Sequence, residues 1–113
     1  MRAWHKSLIP KLCRIHLIAT WRETLGMYSI IINNKKGYSR HPATQEYINC
    51  PDKLWDYLHL LREEMLRRGY KPKELPPKPP ATSNEPKEWQ TLEEQIERLK
   101  EKRQTILICR CDI

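Results

Sequence analysis

At 113 residues the chain has room for one small domain with a modest core. Its 21 Lys and Arg outweigh 14 Asp and Glu, a net charge of +7, which suits nucleic acid or another anionic surface and is explained equally well by a basic proteome or simple solubility. No apolar run approaches the roughly 18 residues that span a bilayer, and no signal-peptide pattern opens the chain, so no membrane partner and a cytoplasmic location are expected.

The first nine residues read as an extended arm. Pro10 suits the opening turn of a helix, because its missing N–H would be unpaired there in any case. A helix over 10–25 follows, with Leu8, Leu12, Ile15 and Ala19 at helical spacing. On that helix His16, Thr20 and Glu23 fall at i, i+4 and i+7 and share one face. Ile18, Trp21 and Leu25 share another face and read as core, and Arg22 flanks the polar face. Charge beside an apolar stripe is where a site would sit. A solvated face with a local Arg22–Glu23 pair explains the same pattern.

Gly26 interrupts. The run from Met27 to Ile32 is ambiguous: its β-branched residues argue strand, while its lack of strict alternation argues a buried helix. Asn33-Asn34-Lys35-Lys36-Gly37 has the composition of a helix stop. Residues 38–42 read as a loop, and Pro42 starts a short helix over 43–49. Tyr38, Arg40 and His41 mix basic and aromatic groups as a DNA-facing loop would; a plain surface turn explains them equally well.

The next helix is the clearest. Pro51 stands at its first position, and Asp52 lies in the first turn, where the helix dipole favours a carboxylate. Leu54, Leu58, Leu61 and Met65 make a core stripe. Arg67 and Arg68 close the helix and Gly69 caps it. Residues 71–87 contain six prolines, which exclude helix and sheet and leave an extended, semi-rigid connector. A last helix over 88–104 carries Trp89, Leu92, Ile96 and Leu99 on one face and should dock on the others. The aliphatic tail over 105–113 fits either a strand or a loose end.

The four cysteines, Cys13, Cys50, Cys109 and Cys111, form no Cys-x-x-Cys pair, and Cys109-Arg110-Cys111 is closer than ordinary zinc ligation uses. The four histidines, His5, His16, His41 and His59, are scattered. No metal is expected, and a disulfide to the tail only in an oxidising setting or a thermophile. The positive charge is uneven: residues 1–70 hold 12 Lys/Arg against 6 Asp/Glu, whereas residues 71–113 hold 9 against 8.

Within that basic part, His16-Leu17, Ala19 and Trp21-Arg22-Glu23 resemble the His-Leu-x-Ala-x-aromatic-Arg-Glu signature of the phage-type pyrimidine-dimer DNA glycosylases, which are also abasic-site lyases. Asp52-Lys53-Leu54 and Arg68-Gly69-Tyr70 resemble the two ends of that family's next long helix. The opening, from Met1 to Leu12, is similar to a short bacterial and archaeal branch. The likeness covers residues 1–70 and favours helix for Met27–Ile32.

The resemblance implies a mechanism. The α-amine, on Met1 here, would attack C1′ of the damaged nucleoside and form a Schiff base, and Glu23 would assist through electrostatics and proton transfer. An α-amine suits the task because its pKa lies near 7.7–8.0, against about 10.4 for lysine. Arg2, His16 and Arg22 match family residues that contact DNA around the lesion. Arg98 and Lys102, at i and i+4, resemble a DNA-contacting pair in the family's C-terminal helix. The chain departs from the family in three places. It begins Met1-Arg2 and carries one extra residue before His16, it has Gly26 where the family has a further arginine, and its tail is aliphatic rather than aromatic.

The expectation is therefore an all-α protein: a small single-domain helical bundle with an extended N-terminal arm and a Pro-rich connector before the last helix. Its partner would be double-stranded DNA, gripped by Arg2, His16, Arg22, Arg40, His41, Arg98 and Lys102. It would work as a monomer without metal or organic cofactor, with Met1 and Glu23 catalytic. The alternatives are an inactive DNA-binding protein of the same fold and a helical protein-interaction module that uses the connector.

Overall fold

The Leu54–Met65 stripe and the Leu17–Tyr28 stretch find each other in the folded chain, and the rest is arranged around that contact. The structure, a computed structural model, describes residues 4–33, 42–87, 90–105 and 110–111. Among the described residues four α-helices follow a 3-10 helix at Lys6–Lys11: α1 (Arg14–Ile32), α2 (Pro42–Gln45), α3 (Pro51–Arg67) and α4 (Leu92–Thr105). No strand occurs among the described residues, and the protein is all-α as expected. Nor is any described helix long and apolar enough to cross a membrane.

α3 follows its sequence signals closely. Pro51 opens it, and Leu54, Leu58 and Leu61 are fully buried. Burial of each such side chain contributes about 1.5–3 kcal/mol. The helix ends at Arg67, and Gly69 beyond it takes a positive φ of 86°, a conformation that glycine adopts without penalty.

α1 departs from expectation in three ways. It starts at Arg14, because Leu12 and Cys13 are extended (ψ 137° and 168°) and separate it from the 3-10 turn that holds Pro10. The arm is therefore helical from Lys6 on. Second, α1 runs through Gly26 to Ile32 without a break, because Met27 and Tyr28 just beyond it are buried; the ambiguous run is helix. Third, its faces are only partly as read: Trp21 is buried as expected and Glu23 is exposed, but His16 and Thr20 turn into the core with Thr24, while Ile18 and Leu25 are half-buried against it. Thr20 can be buried because its hydroxyl donates to the His16 carbonyl one turn back at 2.6 Å.

The arm is fastened to two helices. The Trp4 carbonyl accepts from the Tyr57 hydroxyl at 2.5 Å, and the His5 amide donates to Gln95 Oε1 at 2.6 Å. Trp4 itself is buried. The Pro-rich connector has no regular structure, as expected, but it lies strapped to α3 and to the turn after α2. Trp55 Nε1 donates to the Pro76 carbonyl (2.8 Å), Thr82 Oγ1 to Asp52 Oδ1 (2.7 Å), and the Lys87 amide to the Glu46 carbonyl (3.0 Å). α2 is shorter than the 43–49 expected and passes into turns over 46–49. α4 starts at Leu92 rather than 88, since Thr91 caps it: its Oγ1 accepts from the Glu94 amide (3.1 Å) and donates to the Glu94 carboxylate (3.3 Å). Leu99 and Gln95 are the buried residues of α4. Trp89 and most of the tail lie outside the described residues.

Candidate functional site

The site is built on the middle of α1. Arg22 and Glu23 are consecutive, so they point about 100° apart around the helix, and both are exposed. Each therefore faces a different neighbourhood.

Arg22 borders a groove between α1, the end of α3 and the start of the connector. Arg14, Lys71 and Lys73 line the same groove, with Trp21 and Tyr70. The guanidinium carbon of Arg14 stands 5.9 Å from the centre of the Tyr70 ring, a cation–π distance. The half-buried Ile18 and Leu25 also line it, which explains why a face read as core is not fully covered. Four exposed cations around two aromatic rings make a surface suited to an anionic, planar ligand such as a nucleic acid. Sequence reasoning missed Arg14, Lys71 and Lys73. The signal was Lys71-Pro72-Lys73 directly after the Gly69 cap, which places two lysines where the chain leaves α3.

Glu23 faces the His16 side. His16 is only 9% exposed. Burial lowers the pKa of its imidazole, the positive charge of Lys102 lowers it further, and the Glu23 carboxylate acts in the opposite sense. Glu23 on α1 and Lys102 on α4 thus lie within electrostatic reach of one buried ring, and three of the residues named from sequence are brought together. His16 is not the exposed grip that sequence suggested. Its Nδ1 meets Cys13 Sγ at 3.2 Å and Cys111 Sγ at 3.1 Å. The Cys13 amide donates to Cys111 Sγ at 3.1 Å as well. The scattered spacing of these residues in sequence hides a grouping in space: Cys13, His16 and Cys111 are all buried, with ligand atoms within 4.8 Å of one another. Sequence reading missed it because Cys111 is 95 residues from His16. Cys13-x-x-His16, across the first turn of a helix, was the half of the signal available.

Arg98 stands apart from the other cations. It pairs with Glu101 at 3.0 Å and borders a shallow surface with Glu93, Glu94 and Glu97, so its charge is already matched by its own helix. Met1, Arg2, Arg40 and His41 lie outside the described residues.

A further cleft opens where the arm is fastened, between Trp4, Tyr57 and Gln95. Its rim mixes Lys6 and Lys53 with Glu46, Asp56 and Glu85, a balance of charge that does not favour a polyanion. The groove at Arg22, by contrast, is lined by four cations and no carboxylate.

A family model described as pyrimidine dimer DNA glycosylase matches residues 1–76. That span takes in the arm, α1, α2, α3 and the lysines at the start of the connector. Nothing matches among curated proteins or among solved structures.

Proposed function

The chain belongs to the pyrimidine dimer DNA glycosylase family, and we propose that it excises a damaged base from duplex DNA and then cleaves the abasic strand by imine chemistry at its terminal α-amine. The amine of Met1 attacks C1′, the C1′–N bond breaks, and the base leaves with the bonding pair and a proton. The sugar ring opens to an imine. Loss of a C2′ proton then expels the 3′ phosphate, and water hydrolyses the imine to release the amine. Glu23 stabilises the cationic sugar as the base departs and carries protons in the later steps. No step calls for a metal or an organic cofactor.

The observation that carries this reading is the pairing on α1 of an exposed carboxylate, Glu23, with the basic, aromatic groove that begins at Arg22. Phosphates held by Arg14, Arg22, Lys71 and Lys73 would bring a distorted duplex across α1 and stabilise nucleotide extrusion.

Glu23→Gln tests the assignment. It should abolish strand cleavage at an abasic site while leaving duplex affinity within about twofold, because it removes a proton carrier but no phosphate contact. Full cleavage by that variant would remove Glu23 from the chemistry.

A further inference from the structure

The three buried side chains of Cys13, His16 and Cys111 have no part in the chemistry above. Cys13 is the residue from which α1 springs, and its amide starts no turn of its own but donates to Cys111 Sγ. His16 lies one turn on, so Cys13 and His16 at i and i+3 share a side of the helix. Cys111 comes from the far end of the chain and is 1% exposed. Its sulfur and that of Cys13 converge on one atom, His16 Nδ1.

A neutral imidazole nitrogen has a single in-plane lone pair or a single proton. A hydrogen-bond network uses that nitrogen once. A cation among the three donors engages all of them at once. We propose that Cys13, His16 and Cys111 bind a zinc ion that clamps the C-terminal end of the chain to the start of α1.

The donor set selects the metal. Two thiolates and an imidazole are soft and borderline ligands, which favour zinc over magnesium or calcium. Zn–S bonds of about 2.3 Å and Zn–N bonds of about 2.0 Å set tetrahedral ligands roughly 3.5–3.8 Å apart. The observed Nδ1–Sγ separations of 3.1 and 3.2 Å need to open by only a few tenths of an ångström. The fourth position is left to water or to one further donor. The surroundings suit thiolates: the Cys13 amide already points at Cys111 Sγ, and the positive end of α1 lies beside Cys13. The benefit to the fold is a cross-link between residues 98 positions apart, in a chain whose size limits what a hydrophobic core alone can supply.

The test is metal content. The full chain, expressed with added zinc and purified with a non-chelating reductant, should retain zinc stoichiometrically through dialysis. The Cys13→Ser/Cys111→Ser double variant should lose it, and Cys50→Ser, which alters a buried thiol remote from the cluster, should keep it. Cobalt exchanged into the unaltered chain should show the intense visible bands of tetrahedral coordination and thiolate-to-cobalt charge transfer; this readout stands even if the serine variants fail to fold. Folded, reduced wild-type chain that retains no zinc would overturn the proposal. So would zinc that persists in the double variant, or a cobalt spectrum without thiolate bands.

Discussion

Glu64 shows how one side chain fixes the junction between the 3-10 turn and α3. It is a carboxylate on α3 with 7% exposure, and it is held by two arginines. Arg67 contacts both of its oxygens, and Arg68 Nε donates to Oε2 at 2.6 Å. Arg68 also reaches the Pro10 carbonyl at 3.1 Å, so the cluster ties the 3-10 turn to α3. The Arg67 hydrogen bonds, followed by those of Arg68, hold the Glu64 carboxyl below the usual carboxylate range. A carboxyl whose pKa is lower folded than unfolded stabilises the fold above its unfolded pKa, and that contribution is lost as pH falls through its folded pKa. Thermal melts should therefore show the wild type losing stability on acidification below about pH 4. Glu64→Gln should melt lower than the wild type at neutral pH, and its deficit should shrink in acid. A deficit that stays constant from neutral to acid pH would mean that the charge of Glu64 is not what stabilises the cluster.

The helices divide into those whose signals were local and those whose signals were not. α3 was legible because its start, stripe and stop all lie within its own sequence: Pro51, the leucines and Gly69. Its capping glycine is required by φ, so Gly69→Ala should destabilise the protein by about 1 kcal/mol. Gly26 is the reverse case. It lies inside α1, and a Cβ there would meet nothing within 4 Å. Gly26→Ala should therefore stabilise by about 0.5–1 kcal/mol in denaturant melts. The opposite signs of two Gly→Ala changes check the backbone description directly. The faces of α1 were misread because which side of a helix is covered depends on what packs against it. Thr20 and Thr24 look polar in sequence, yet threonine is small and can return its hydroxyl to its own helix, as Thr20 does. Ile18 and Leu25 look like core, yet they line a groove. The N-cap Thr91, three residues before Glu94, was readable and would have moved the start of α4 to Leu92.

At the scale of the whole molecule, the uneven charge of the sequence becomes a surface. The excess of cations over residues 1–70 includes Arg14 and Arg22, and Lys71 and Lys73 extend the patch from just beyond that boundary. Phosphate binding there releases counterions, so duplex affinity should fall steeply with salt. Arg22→Ala should weaken binding on any sequence and reduce the slope of log affinity against log salt by about one unit. An unchanged slope would take Arg22 out of the phosphate contacts. By contrast Arg98→Ala, on the glutamate-rich side of α4, should leave the slope unchanged. The Arg22–Glu23 pair was legible in sequence, but the groove was not, since it assembles residues from α1 with residues about 50 positions later, and only the fold joins them.

In the proposed reaction a terminal α-amine performs the chemistry. The most direct measurement is borohydride trapping on a duplex with a single abasic site. It should be made with the native chain and with a chain whose terminal amine is acetylated. The account predicts a covalent protein–DNA adduct with the native chain and none with the acetylated one, while both bind the duplex. An adduct that survives acetylation would assign the imine to a lysine. Tight binding with no adduct from the native chain would contradict the enzymatic reading and leave a DNA-binding protein of this fold.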